Sequence, residues 1–360
     1  MRQHRTRTAV ALAAIGGLAT ALTACSAPPA ESGGGDAAAA NSDFLACMVS
    51  DFGGFDDRGF NQAVLAALDT AEEQYGVETL RLESTTENDY APNLAQSVDQ
   101  GCDFTVTVGF SLAEATKAAA EQNPDSRFAI IDDSSIELPN VKPVVFDTAQ
   151  ASFLAGYLAA GYSKTGTVAV FGGQPFPPVL LFMDGFSDGV DRYNADAGAQ
   201  VKLLGWDKAA QDGTFAGTFT DIAAGKTLTQ TFIDQGADVI MPVAGSLYLG
   251  SGEAAHEAPG DVVLVGVDND VVELSPDLAD VMLTSVMKQM ADAVVELIGQ
   301  AVEDEFDNTP FIGELANDGV AIAPFHEFKD SVSPELAAAV EGIRQQIISG
   351  EIVVESVNAP

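Results

Sequence analysis

Basic side chains and histidines are scarce in this 360-residue chain. Lysine and arginine together number 16 against 53 aspartates and glutamates, which gives a formal net charge of −37 at pH 7. A surface this acidic repels a phosphate backbone, so nucleic-acid binding is disfavoured, and so is a polybasic contact with a membrane. The three histidines, His4, His256 and His326, are widely spaced in the sequence. They offer little material for a zinc site or a Ser-His-Asp triad.

Motifs for covalent or cofactor chemistry are also missing. No nucleophile elbow or Walker-type loop occurs, and the pair Gly172-Gly173 lacks the following Lys-Ser/Thr of a phosphate loop. Beyond the first 25 residues the longest apolar run is Ala151–Ala160, about half of the roughly 20 residues that a membrane span needs. The sequence therefore predicts no cofactor, no metal site and no enzyme activity.

The N-terminus carries the pattern of a bacterial lipoprotein signal. Arg2, Arg5 and Arg7 form a basic region, an apolar stretch of roughly 14 residues follows, and Leu22-Thr23-Ala24-Cys25 closes it. We predict a signal peptide over residues 1–24, a lipidated Cys25 and a location on the extracytoplasmic face of the cell membrane. An ordinary signal peptide with a chance cysteine and a short membrane helix are the alternatives. Residues 25–42 are rich in Gly, Pro, Ala and Ser and are expected to form a flexible tether.

The two remaining cysteines are candidates for a disulfide. Cys47 lies on the first predicted strand and Cys102 just before the third. In a doubly wound lobe those strands are expected to be neighbours, about 5 Å apart, and a cysteine pair outside the cytoplasm can oxidise. The alternative is a pair of small buried hydrophobic side chains.

The rest of the chain alternates short apolar runs with helical patterns, which predicts an α/β fold with parallel sheets. Two such series indicate two doubly wound lobes with a break near residues 147–150, and a last part that crosses back between them. We expect lobe 1 to comprise residues 43–147 plus about 283–310, and lobe 2 residues 148–282 plus about 311–360. The predicted strands are 45–50, 77–82, 104–108, 128–132 and 144–146, then 167–171, 201–206, 238–243 and 262–268, followed by 283–286 and 320–324.

Small or acidic residues follow several predicted strands, where the crevice between two lobes is expected. A crevice of this kind offers an anion few donors but offers a neutral, polyhydroxylated ligand many carboxylate acceptors, which make strong charge-assisted hydrogen bonds. The residues concerned are Asp51, Asp132-Asp133, Ala244-Gly245-Ser246 and Asp268-Asn269-Asp270.

The stretch DFGGFDDRGFNQ (residues 51–62) resembles the opening signature of the basic membrane protein family, the purine-nucleoside-receptor lipoproteins that serve ABC transporters. Further similar segments follow in the family's order, so the resemblance covers about residues 44–325. They are TVGF (107–110), FAIIDD (128–133), ASFLAGYLAA (151–160), GTFTD (217–221) with Gly225-Lys226, QGADVI (235–240), VGVDND (265–270) and LTSVMK (283–288).

The resemblance implies a two-lobed type I periplasmic-binding-protein fold with three crossovers, closing over a nucleoside. The base would stack between Phe60 and Phe219, and Asp57 or Asn61, with Asp132 or Asp133, would hydrogen-bond its edges. Asp268 and Lys288 would hold the ribose, with backbone from around Gly245, and Asp51 begins the signature. Gly59 departs from the family's usual serine, which leaves the base preference open.

Structural roles are the alternative for each of these residues. Asp56 or Asp57 could cap the helix that begins near Phe60, and the two phenylalanines could belong to the core. Lys288 lies near the start of the predicted helix 287–302, where the helix dipole disfavours a cation, so a functional role is favoured for it.

Two other functions share the acidic crevice. A sugar-binding lipoprotein would lack the aromatic pair, and a nucleoside or glycoside hydrolase would use carboxylates such as Asp132 and Asp133 as acid and base. The prediction is a monomeric, lipid-anchored receptor that closes around a nucleoside and delivers it to a membrane permease.

Overall fold

The computed structural model describes residues 41–360. The predicted signal peptide, Cys25 and nearly all of the predicted tether lie outside the described residues. Across residues 41–360, the helices are all too short or too polar to cross a membrane.

The first sheet is entirely parallel, and its strands are apolar on both faces because helices cover them. The central strand LACMV is an example, with four of its five residues buried. The order across the sheet is β13-β5-β4-β3-β1-β2. The strands are β1 (Leu45–Val49), β2 (Glu78–Leu82), β3 (Phe104–Val108), β4 (Arg127–Ile131), β5 (Val141–Phe146) and β13 (Phe311–Gly313).

The second sheet repeats this design, with one antiparallel strand, β14, at its edge. The order is β14-β12-β11-β10-β6-β7, and a separate hairpin is formed by β8 and β9. The strands are β6 (Thr167–Gly172), β7 (Lys202–Leu204), β8 (Trp206–Asp207), β9 (Asp212–Gly213), β10 (Val239–Val243), β11 (Val263–Asp268), β12 (Met282–Lys288) and β14 (Val320–Ile322).

Helices cover both sheets. We call the first sheet with α1, α2, α3 and α9 the first lobe, and the second sheet with the other helices the second lobe. The helices are α1 (Phe60–Tyr75), α2 (Tyr90–Asp99), α3 (Ala113–Gln122), α4 (Thr148–Tyr162), α5 (Pro177–Ala197), α6 (Ile222–Asp234), α7 (Tyr248–Glu257), α8 (Val271–Leu274), α9 (Met290–Val302) and α10 (Pro334–Ile348).

The apolar run 151–160 forms part of α4, the most buried helix of the second lobe. It packs closely along α5 because glycines stand at the contact. A Cβ on Gly156 would overlap the carbonyl oxygen of Phe186, and one on Gly185 would overlap that of Ala149. The run is therefore a core helix, which agrees with its being too short for a span.

The chain passes between the two sheets three times, after β5, after β12 and after β13. The first crossing agrees with the predicted break at 147–150, but the later boundaries differ. Residues 283–288 belong to a strand of the second sheet, and residues 311–313 belong to a strand of the first. The sequence of a short apolar segment does not indicate which of the two sheets it joins, because its pairing partners are distant parts of the chain.

Two local predictions also differ from the structure. The predicted strand 201–206 ends at Leu204 because Gly205 adopts a positive φ of 88° and packs where a Cβ would overlap the carbonyl oxygen of Val170. The predicted helix 287–302 begins only at Met290.

Cys47 of β1 and Cys102, just before β3, form a disulfide, with their Cα atoms 5.9 Å apart. The geometry follows from the pairing of the two strands, in which Cys47 lies opposite Thr105. The bond therefore joins residues that are 55 positions apart in sequence.

Candidate functional site

A cavity of about 430 Å³ lies between the lobes at the carboxyl ends of the strands. This is where parallel sheets of this kind place their ligands. The first lobe lines it with Asp51, Phe52, Gly53, Asp56, Asp57, Arg58, Phe60, Phe110 and Asp132. The second lobe lines it with Pro178, Val179, Phe182, Phe219, Thr220, Ile222, Val243, Ala244, Gly245, Ser246, Leu249, Val267, Asp268 and Lys288.

The loop after β1 is organised around Asn61, which does not itself line the cavity. Its side-chain oxygen accepts the Asp51 N–H at 3.1 Å, and its amide donates to Asp51 Oδ1 at 2.7 Å and Asp57 Oδ2 at 3.1 Å. Asn61 is 1% exposed. The polar atoms of Asn61 are used within the loop, and of the predicted alternatives Asp57 and Asn61 only Asp57 lines the cavity.

Asp57 caps a helix, which is one of the two roles that the sequence left open for it. Its carboxylate accepts the backbone N–H groups of Gly59, Asn61 and Gln62 at 2.7–3.1 Å, which caps the start of α1. It also lines the cavity, so the cap fixes a negative charge at the wall.

Burial changes the protonation of this loop. It raises the pKa of Asp51 to about 6, although hydrogen bonds from Asn61 and Gly53 oppose the shift. Burial also raises the pKa of Asp57, against the effect of the backbone N–H groups that it accepts. The raised pKa values make Asp51 and Asp57 easier to protonate than ordinary aspartates.

Lys288 joins the two lobes inside the cavity. It is the last residue of β12, not part of a helix, so the helix-dipole argument for it was wrong. Its Nζ lies 2.5 Å from Asp132 Oδ2 of the first lobe and 3.3 Å from Asp268 Oδ1 of the second. Its Nζ is also 5.2 Å from the ring centroids of both Phe60 and Phe182.

Asp132 and Asp268 follow or end equivalent central strands, β4 and β11, and both adopt positive φ angles of 63° and 69°. Such angles are strained for residues with a Cβ and tend to occur at functional sites. Burial raises the pKa of Asp132, with Lys288 opposing the shift. Burial alone would lower the pKa of Lys288, but the two carboxylates outweigh it and raise the pKa above its ordinary value. Lys288 therefore stays charged.

Aromatic side chains line the cavity from both lobes. Phe60 and Phe219, which the sequence singled out, are joined by Phe110 and Phe182, which it missed. Phe110 comes shortly after β3 and lies 6.2 Å from Phe219, centroid to centroid. The strand-end rule that selected Asp132 would have found Phe110, whereas Phe182 lies within α5 and carries no such signal.

Gly245 and Asp133, two further predicted site residues, differ in whether they line the cavity. Gly245 lines the cavity with a positive φ of 54° next to Phe219. Asp133 lies outside this cavity, and its Oδ1 accepts the backbone N–H and hydroxyl of Ser135 at 2.9 and 2.8 Å. Of this predicted pair, only Asp132 lines the cavity between the lobes.

The lobes also touch beside the cavity. The Tyr248 hydroxyl, at the start of α7, donates to the carbonyl oxygen of Arg58 at 3.1 Å and lies 2.9 Å from Ser275 Oγ. The rings of Phe110 and Phe176 meet across the lobes at 4.2 Å. These contacts describe a closed arrangement of the two lobes.

Within residues 41–360, there is no group of three or more His, Cys, Asp or Glu side chains arranged to hold a metal ion. The cavity instead combines carboxylates, one paired lysine and aromatic faces, which suits an uncharged ligand that has hydroxyl groups and a flat ring.

Comparison with known proteins agrees with this architecture. The family profile described as "ABC transporter substrate-binding protein PnrA-like" matches residues 44–358. Basic membrane protein A of Borreliella burgdorferi is 29% identical over 309 residues, covering 84% of this chain and 86% of the relative. The ABC transporter nucleoside-binding protein BmpA of Lactococcus lactis subsp. cremoris is 28% identical over 365 residues, covering 97% of each.

Among solved structures, the chain resembles an ABC transporter solute-binding protein from Aeropyrum pernix K1. The TM-score is 0.77 at 25% identity, with 87% of this chain and 94% of that chain covered. The predicted two-lobed periplasmic-binding-protein fold is thereby confirmed. The chain belongs to the PnrA-like family of ABC transporter substrate-binding proteins, which bind their substrates and are not enzymes.

Proposed function

We propose that this protein binds a purine nucleoside between its lobes and presents it to an ABC transporter permease. The observation that carries the proposal is the composition of the interlobe cavity, where aromatic rings lie beside carboxylates and a paired lysine. Rings stack on a flat base, and carboxylates accept ribose hydroxyl groups. The similarity to the Lactococcus lactis protein named as nucleoside-binding supports the same ligand class.

In this proposal the ribose lies against Asp268 and Lys288, near the backbone of Gly245. The Lys288 side chain is 3% exposed, and its ammonium group is already paired with the carboxylate of Asp132. It can therefore donate to a ribose hydroxyl without the cost of burying an unpaired charge. The base stacks on Phe60 and Phe219, and Asp51 and Asp57 are available to its edges.

The acidic cavity also predicts what the protein rejects. Its carboxylates outnumber Lys288 and Arg58, so a phosphate group would meet net negative charge. Nucleosides are therefore expected to bind, and nucleotides are not.

Ligand-induced changes in melting temperature, followed by calorimetry, test the proposal. Purine and pyrimidine nucleosides, free bases, pentoses and nucleotides form the panel. A ligand at 100 times its dissociation constant should stabilise the protein by about 2.7 kcal/mol. Binding of pentoses without nucleosides would favour a sugar receptor, and release of free base in chromatography would indicate a hydrolase.

The proposal includes a lipid anchor at Cys25 and a location on the extracytoplasmic face of the membrane. It rests on the Leu22-Thr23-Ala24-Cys25 pattern after a basic and an apolar region. Intact-mass analysis of the native protein should find diacylglycerol on an N-terminal Cys25. An uncleaved N-terminus or an unmodified Cys25 would contradict this part alone.

A further inference from the structure

A second cavity, of about 480 Å³, adjoins the first. Phe110, Asp132 and Pro178 line both, so the two spaces share a partition at the ends of β3 and β4. The other residues that line the second cavity are Asp133, Ser134, Ser135, Val145, Phe146, Phe176, Pro177, Leu181, Val357, Asn358, Ala359 and Pro360.

The C-terminal residues 357–360 form one wall of this second cavity, and partly buried hydrogen bonds from Ser356 and Asn358 hold this segment in place. Asp184 of α5 has no exposed surface and accepts from Ser356 Oγ at 2.6 Å and from Asn358 Nδ2 at 3.2 Å. Asn358 Nδ2 also lies 2.8 Å from Gln211 Oε1. The wall is consequently a built part of the second lobe that faces Asp133 of the first.

The chemistry of the second cavity differs from that of the first in having no basic group. Among its lining residues, all of them described, there is no lysine, arginine or histidine. Asp132 is neutralised by Lys288, whereas Asp133 is half-exposed and accepts hydrogen bonds from its neighbour Ser135. Aromatic and aliphatic side chains such as Phe110 and Phe176 form the remaining surface.

We propose that the second cavity receives a substituent on the ribose end of the ligand, and that it accepts an uncharged or amine-bearing group. The inference rests on the proposed function. Lys288 and Asp268 hold the ribose in that proposal, and Asp132, which contacts Lys288, stands at the partition. In this proposal the 5′ carbon of the ribose points to the partition, so that a 5′ substituent reaches Asp133, Ser134 and the C-terminal wall. An amine would bind the carboxylate of Asp133, while a methyl or methylthio group would contact the two phenylalanines.

The test compares four ligands by calorimetry at low salt. They are the best-binding purine nucleoside of the panel, its 5′-amino-5′-deoxy and 5′-deoxy-5′-methylthio derivatives, and its 5′-monophosphate. We expect the amine to bind about tenfold tighter than a neutral group of its size, as for one charge-assisted hydrogen bond. The methylthio derivative should bind as well as the parent nucleoside.

Ser134→Lys supplies the discriminating variant. Ser134 lines only the second cavity, so a lysine there places a positive charge beside Asp133 and leaves the first cavity unchanged. The advantage of the amine should disappear and the penalty on the monophosphate should shrink about tenfold, while the parent nucleoside keeps its affinity. Ser331→Lys, on an exposed residue that lines neither cavity, is the matched control and should behave as wild type.

The outcomes separate the two proposals. If no nucleoside binds at all, the proposed function fails. A second outcome is that the parent nucleoside binds while Ser134→Lys leaves the ranking of the 5′ derivatives by affinity unchanged. In that case the 5′ substituents do not occupy the second cavity. Loss of the methylthio derivative alone would show that the space is closed to substituents when ligand is bound, which also overturns the inference.

Discussion

Phe219 is the residue that separates a nucleoside from a plain sugar. Its ring lines the cavity from the second lobe, near Phe110. Phe219→Ala should weaken purine nucleoside binding by about 1–3 kcal/mol, which is typical of one stacked base. Calorimetry with a nucleoside and with free ribose measures the effect. Equal losses for both ligands would mean that the ring packs the lobe and does not stack on a base.

The raised pKa of Asp51 predicts that ligand affinity depends on pH. Its carboxyl has a pKa raised to about 6 by burial, and only the ionised form accepts two donors from a ligand. If binding requires that form, affinity should be about tenfold lower at pH 5 than at pH 7, because about one-tenth of the groups are ionised one unit below the pKa.

Asp51→Asn is the control for this dependence. The variant should bind more weakly at pH 7 and lose the change between pH 5 and 7. The same raised pKa means that the folded state holds more protons than the unfolded state between about pH 4 and 6, so the Asp51 contribution to stability declines as the pH rises through that window. A wild-type affinity that is flat from pH 5 to 7 would exclude the Asp51 carboxylate from the ligand contacts.

The C-terminal segment stabilises the second lobe because Ser356 and Asn358 donate hydrogen bonds to the buried carboxylate of Asp184. Deleting residues 356–360 leaves Asp184 with Trp206 Nε1 and Gln211 Nε2 as its remaining donors. The free energy of unfolding should fall by about 1–3 kcal/mol, the cost of leaving a buried acceptor partly unsatisfied. Urea denaturation measures it, with Asn358→Ala expected to cause a smaller loss. No change on deletion would show that water replaces the segment without cost.

The disulfide between β1 and the start of β3 should stabilise the first lobe. It closes a loop between residues 55 positions apart, and removing such a bond costs about 2–5 kcal/mol. Adding a reductant should therefore lower the melting temperature of the wild type. The double variant Cys47→Ala/Cys102→Ala should already melt at the lower temperature and ignore the reductant. Two free thiols in the unreduced, unfolded protein would contradict the bond.

Closure of the whole molecule depends on contacts that join the lobes without any ligand. Tyr248→Phe removes the hydroxyl that donates to the Arg58 carbonyl oxygen but keeps the ring. Losing one hydrogen bond of the closed state should weaken nucleoside binding about two- to tenfold, because ligand and closure are coupled. Scattering profiles should show a more open average shape. Thr231→Val, which removes an exposed hydroxyl on α6 bonded only within its helix, is the control and should bind as wild type. An unchanged affinity in Tyr248→Phe would mean that this bond does not limit closure.

The sequence by itself determined the fold class and picked out eight of the residues that line the cavity. Alternating apolar strands and helices specify parallel sheets, and the carboxyl ends of such strands converge, so Asp51, Asp132 and Asp268 could be placed at one crevice from order alone. The family signature added Phe60 and Phe219, which also line that cavity.

Tertiary structure alone decided how those residues are used. Lys288 and Asp132 lie 156 positions apart, and only the packing of the two lobes against each other brings their charges together. The burial of Asn61, the turn of Asp133 into a second space and the fastening of residues 356–358 to Asp184 depend in the same way on contacts between distant segments. Local sequence patterns set the direction of a strand and the ends of a helix, but they do not encode which distant side chain will meet them.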